Sequence, residues 1–188
     1  SGMYDVAVPV IEMAGEGEAQ SASVAGTALF RQGEYVGTVT EEATRGLLFA
    51  RGDLETCTYA LPLSEGDQVT VEVESASVSI EVEPRGETAR FVLKITARGE
   101  VEDETLAPQT LRDRLPEVNE ALTGRIEEEV LLALRETIQE RGCDVVGFRR
   151  RLMQSAPSLI QGKEEEWRDR LRTCEYVVQV DAQVDRVC

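Results

Sequence analysis

The sequence predicts an α+β fold: an antiparallel sheet of mixed-length strands, with one long helix and two to three shorter helices packed on one face. Three observations predict it. Residues 69–73, 78–82, 91–95 and 176–184 alternate apolar with polar side chains, the period of a strand with one buried face. Leu122, Ile126, Val130, Leu134 and Ile138 recur every four positions, the period of an amphipathic helix. Strands and helices are also partly segregated along the chain, which favours α+β over a doubly wound sheet.

The elements follow in order. Residues 6–11 are an extended apolar segment, and residues 12–23, rich in Gly, Glu, Ala and Ser, read as a loop. Residues 24–30 and 35–39 form a hairpin across Arg31-Gln32-Gly33-Glu34, with Gly33 able to take positive φ. Thr40 has the chemistry of a helix N-cap, and Glu41 and Glu42 face the positive end of the dipole. Arg51-Gly52 ends that helix. Residues 57–63 are a short strand.

The valines at 69, 71 and 73 and the apolar residues at 78, 80 and 82 are out of phase by one. A slip of one turns the apolar face outward, so a bulge is expected near residues 75–77 of one long bent strand. Pro84-Arg85-Gly86-Glu87 is a turn. Pro116 suits the first position of the main helix, which gives a stripe of about 25 residues ending at Arg141-Gly142. Asp144 caps a second helix over 145–154, broken at Ser155-Ala156-Pro157. A third helix over 163–172 carries Trp167, the sole tryptophan. The closing strand returns to the main sheet.

Length and composition bound the function. The chain has 188 residues, which suits one domain over 3–188; Ser1-Gly2 resembles the remnant of a cleaved tag. A domain of this size buries roughly 70% of its unfolded surface and needs no staples. Thirty-six acidic residues face 20 basic ones, a balance of −16. That excludes the basic footprint of a nucleic-acid binder and disfavours direct attraction to anionic lipid. No histidine is present, so a Ser/His/Asp triad, a Cys/His dyad and an imidazole metal site are excluded. Cys57, Cys143, Cys174 and Cys188 are scattered without C-x-x-C spacing and read as separate thiols, with three disulfide pairings left open by the sequence.

Chemistry is sparse. Eleven acids lie between Glu65 and Glu104, most at the solvated positions of the sheet. Glu127-Glu128-Glu129 and Glu164-Glu165-Glu166 read as solvated helix surface, since adjacent residues do not share a face. Arg149-Arg150-Arg151 is the basic cluster, with Arg168, Arg170 and Arg172 nearby; snorkelling arginines are the ordinary outcome. Glu42 and Arg45, three apart, suit an ion pair, or Glu42 can reach amides at the helix start. Gly26 and Gly46 suit close packing, and Trp167 suits the core.

One resemblance adds to this reading. Gly26-Thr27-Ala28-Leu29-Phe30, Tyr35-Val36-Gly37 and Glu41-Glu42-Ala43-Thr44-Arg45-Gly46-Leu47-Leu48 resemble the block that opens the C-terminal domain of spore germinant receptor C subunits, the Ger(x)C family. Cys143-Asp144-Val145-Val146-Gly147-Phe148 is similar to a later stretch of that family, and Pro157, Trp167 and the closing strand follow its order. The sequence departs at Leu159-Ile160, where the family often has tryptophan, and at Asp185-Arg186, where a glycine is common. The family-signature residues are Gly26, Phe30, Gly37, Glu42, Arg45, Gly46, Asp144, Phe148 and Trp167.

The resemblance implies a non-catalytic assembly domain without cofactor or metal, working by protein contacts in nutrient-triggered germination. Its parent would be a lipoprotein on the outer face of the spore inner membrane. The membrane would be reached only through a lipid anchor upstream, and the partners would be the receptor's integral-membrane subunits. A small-molecule germinant-binding module is the alternative. A hydrolase with paired carboxylates is a third reading, and needs two facing carboxyl groups about 5–10 Å apart in a cleft.

Overall fold

The computed structural model describes residues 5–14, 21–102, 107–162 and 164–186. Its strands divide between two sheets. In the first, β1 (Val6–Ala14), β2 (Ser21–Arg31) and β3 (Glu34–Val39) run antiparallel in that order. The β2–β3 turn places both Gln32 and Gly33 at positive φ, 53° and 86°, matching the twist of the strands it joins. Gly33 takes the positive φ expected of it, and Gln32 joins it there.

Helix α1 (Glu41–Arg51) begins as its sequence dictates. The Thr40 hydroxyl accepts the Ala43 amide at 3.2 Å, and Gly52, at φ 72°, ends the helix. The Gly52 and Asp53 amides bond back to Phe49 and Leu48 carbonyls, so two of the orphan acceptors of the last turn are satisfied.

The second sheet has the order β4-β5-β6-β7, from β4 (Cys57–Pro62), β5 (Gln68–Arg85), β6 (Thr88–Val101) and β7 (Glu175–Arg186). Strand β5 is the single long strand expected from the phase slip. Val73 pairs with Gly99 and Ser75 with Arg98, so Glu74 is the extra residue. The bulge returns Val78, Ile80 and Val82 to the face of Val69, Val71 and Val73. The following turn lies at Gly86-Glu87, while Pro84 and Arg85 still pair in the strand.

Both pairings of the first sheet, and β4–β5 and β5–β6 in the second, are antiparallel, whereas β7 runs parallel to β6, Glu175 opposite Arg90. A parallel partner needs a crossover, and the helical segments between β6 and β7 supply it.

The crossover begins with α2 (Pro108–Leu134), which corrects the expected start at Pro116. Both prolines obey the rule for a first helical position. The apolar stripe decides between them, because Leu111 and Val118 continue it upstream and are fully buried. Pro116 sits inside the helix on an exposed face, where the freed carbonyl of the previous turn can bond water. A π-helical stretch, Arg135–Glu140, widens the end of α2, and Gly142 at φ 60° turns the chain out.

Helix α3 (Phe148–Ser155) starts three residues later than the sequence pattern suggested, because Gly147 takes φ 87° and cannot continue a helix from 145. Asp144 still caps it, accepting the Gly147, Phe148 and Arg149 amides at 2.9, 2.8 and 2.8 Å. Helix α4 (Glu164–Thr173) completes the crossover.

Two cores result. The larger lies between the second sheet and the helices, centred on Phe91, Leu93, Ile126, Val130 and Phe148. Phe91, Phe148 and Tyr176 stack at centroid distances of 4.6–5.4 Å, joining β6, α3 and β7. The smaller core joins the first sheet to α1 and the end of α2 through Leu29, Val39, Ala43, Leu47, Ala133 and Cys143.

A polar strap ties the 64–67 turn to α2. Glu117 accepts Arg114 Nε at 2.9 Å and the Ser64 amide at 2.5 Å, and these two bonds hold its carboxyl down to about 2 from the usual 4.5. A lowered folded-state value means stability that is complete above pH 4.5 and lost as the pH falls through about 2. Glu117→Gln is therefore expected to flatten the acid limb of the stability–pH curve in that window. Urea unfolding at stepped pH checks this, and identical slopes in the two proteins would refute the strap.

Candidate functional site

Two of the signature residues, Arg45 and Gly46, meet at the contact between α1 and α2. Gly46 lies so close to α2 that a Cβ would overlap the Glu129 carbonyl group and the Val130 amide nitrogen. That approach brings Arg45 onto Glu129. The Glu129 carboxylate accepts Arg45 Nη2 at 2.8 Å, Arg45 Nε at 3.2–3.3 Å and the Tyr59 hydroxyl at 2.6 Å. Arg125 Nε adds an ion pair at 3.2 Å.

Glu129 is 2% exposed, which corrects the reading of residues 127–129 as solvated surface. The cost of burying a carboxylate is offset because its acceptor positions are filled by donors, two of them cationic. The carboxylate in turn raises the Arg45 pKa above its ordinary value, with its hydrogen bond as the leading cause. Burial raises Tyr59 above its usual value, and the adjacent carboxylate adds to this.

Arg45 thus turns to Glu129 and, at 2.6 Å, to Glu41, four residues earlier on α1, rather than to Glu42. The Glu42 carboxyl is lowered chiefly by a hydrogen bond to its own backbone amide, the other arrangement open to it from sequence. Arg45 also lies 5.5 Å over the Tyr59 ring. Thr44 of α1 and Thr27 of β2 share a buried hydrogen bond at 2.9 Å, so another side of α1 is tied to the first sheet.

Other signature residues sit apart from this cluster. Gly26 passes under β3, where a Cβ would overlap the Val39 carbonyl oxygen. Gly37, at φ 136°, makes room for the Arg141 guanidinium. Asp144, Phe148 and Trp167 lie around the α2–α3 connection. There the Asp5 carboxylate accepts Arg168 at 2.6 and 2.9 Å and the Asp144 amide at 2.6 Å, and Arg168 also donates to the Gly142 carbonyl. Trp167 is buried, with Arg168 and Arg149 over its ring at 4.4 and 5.0 Å. Burial raises the Asp144 carboxyl above its normal value, against the pull of its three amide bonds.

Phe30 lies on the outer face of the first sheet, edge-on to Tyr35 at 5.8 Å. The cross-strand partners Val6–Phe30, Val8–Ala28 and Phe30–Tyr35 share that face. Among the described residues, Val6, Val8, Ile11, Met13, Val24 and Tyr35 are large hydrophobic side chains at 41–62% exposure, and all belong to this sheet. Only Leu131 and Met153 match them elsewhere. In the sequence, residues 6–11 are an extended apolar segment with no polar alternation to mark an uncovered face.

The site's chemistry is that of a joint. Among the described residues, no group of three or more Cys, Asp or Glu side chains is placed to hold a metal ion. Cys57 and Cys143 are free thiols raised by burial to about 11 and about 12, so neither is poised as a thiolate near neutrality; Cys174 is free as well, and Cys188 lies outside the described residues. No described helix is long and apolar enough to cross a membrane.

Comparison with known proteins agrees with the residue pattern. The family described as spore germination B3/GerAC like, C-terminal, matches residues 25–187. No curated protein sequence matches the chain. Among solved structures, the crystal structure of the GerBC protein superposes with a TM-score of 0.79 at 13% identity, covering 97% of this chain and 57% of that one. The likeness shows a shared fold, and the chain spans little more than half of the longer protein's length.

Proposed function

We propose, from the premise that this chain belongs to the spore germination B3/GerAC-like C-terminal family, that it is a non-catalytic assembly domain of a germinant receptor lipoprotein. It holds the receptor's integral-membrane subunits through the outer face of its first sheet. The parent protein is lipid-anchored at the outer face of the spore inner membrane, and that anchor brings an acidic domain to a surface it would not approach alone.

One observation carries this reading: Val6, Val8 and Tyr35, 44–60% exposed, share the outer face of the first sheet with Phe30. Exposed patches of this kind, in a chain of net charge −16, mark contact surfaces. The Glu129 cluster supports it from the other side. Its carboxylate is saturated by Arg45, Tyr59 and Arg125, which suits a rigid joint between α1, on which the first sheet rests, and α2 and β4.

Val8→Glu and Tyr35→Glu test the proposal in the full-length lipoprotein. Each is expected to abolish co-purification of the membrane subunits and to slow germination, while the isolated domain keeps its circular dichroism and unfolding midpoint. Undiminished co-purification with both variants would overturn it. Loss of the partner only together with loss of the native spectrum would reassign the face to folding.

A further inference from the structure

A second surface has a different chemistry. Helix α3 crosses the far half of β5, leaving a groove of about 360 Å³ between them. Ile80 and Val82 form its half-buried floor; Arg150, Arg151, Gln154 and Ser155 form its wall. On a helix, residues four apart are neighbours, so Arg150 stands over Gln154 and Arg151 over Ser155, two short rows of donors along one groove.

Among the described residues neither arginine is paired with a carboxylate, and Arg151 donates to the Gly147 carbonyl at 3.5 Å. Arg149 is taken up by the Trp167 ring. This occurs in a chain where acids outnumber bases 36 to 20. The nearest carboxylates of β5 point the other way: Glu81 pairs with Lys94 at 2.7 Å and Glu83 with Arg85 at 3.2 Å, on the opposite face of the sheet.

We infer that this groove receives an acidic segment of a protein partner, its Asp and Glu carboxylates pairing with Arg150 and Arg151. The groove is open and walled by polar groups, which suits an extended chain better than an enclosed small molecule. Guanidinium groups bind carboxylates in bidentate fashion. The rest of the surface repels an acidic partner, so the arginine pair fixes where and how it docks; such pairs set orientation and encounter rate more than raw affinity. The inference is independent of the first-sheet proposal, since it uses other residues and another partner chemistry.

The test is fluorescence anisotropy of labelled hexaglutamate titrated with the whole chain in about 150 mM salt, where screening confines attraction to close contacts. Saturable binding is expected, weakened about tenfold or more by the double substitution Arg150→Glu/Arg151→Glu and weakened again by added salt. Both arginines are at the surface, and an unchanged Trp167 emission spectrum shows that α3 and α4 stay in place. Absence of saturable binding, or binding indifferent to the double substitution, would overturn the inference. Competition by monomeric glutamate as effective as unlabelled hexaglutamate, at equal carboxylate concentration, would also overturn it, assigning the groove to a small anion.

Discussion

Replacing Gly46 with alanine is expected to destabilise the fold by about 3 kcal/mol or more, the upper range for overpacking. The sign is the informative part. Glycine to alanine inside a helix ordinarily stabilises, by up to about 1 kcal/mol. Here the added methyl meets backbone, the carbonyl of Glu129 and the amide of Val130, which no rotamer change can move aside. Helix α1 has to lift from α2, and Arg45 leaves Glu129 with it. Gly124 is the control. It is also helical, with nothing within 4 Å of its missing Cβ. Gly124→Ala is expected to raise stability while Gly46→Ala lowers it, measured by urea unfolding of both. A neutral Gly46→Ala would mean that the two helices have slack.

Glu129→Ala is expected to cost about 3 kcal/mol, in the range for removing one partner of a buried ion pair. That corresponds to a drop in Tm of roughly 10 °C for a chain of this size. The loss exceeds the value of any one contact, because Nε and Nη2 of Arg45 and the Tyr59 hydroxyl lose their acceptor while Arg45 keeps only Glu41. The double variant Glu129→Leu/Arg45→Leu is expected to recover part of the loss, since an apolar pair of similar volume avoids the desolvation of charge. Calorimetry of the three proteins separates the outcomes. If the double variant is less stable than Glu129→Ala, the charges contribute net stability beyond mutual neutralisation.

Much of the second sheet was legible because a half-buried strand writes its burial in a period of two. The bulge was legible for the same reason, since only an extra residue reconciles Val73 with Val78 on one face. The start of α2 was not, because two prolines obeyed one rule and the stripe was traced only from Leu122. The burial of Glu129 was hidden by its neighbours. A run of three glutamates reads as surface, yet Glu129 lies three residues after Ile126 and four before Ala133, on the buried face of the helix. Glu127 and Glu128 fall off that face, so the signal was angular and not compositional. The Arg45–Glu129 pair joins residues 84 apart and left no local trace.

Because β7 lies parallel to β6, Arg90 waits for a partner 85 positions further along the chain. Pairings so distant in sequence form slowly and late. During synthesis, β6 leaves the ribosome with one edge open until α2, α3 and α4 have been made and folded back. An open strand edge is a template for foreign strands. The domain's vulnerability to aggregation is thus concentrated in the interval before its last strand arrives, and shortening β7 would prolong that interval without touching any functional surface.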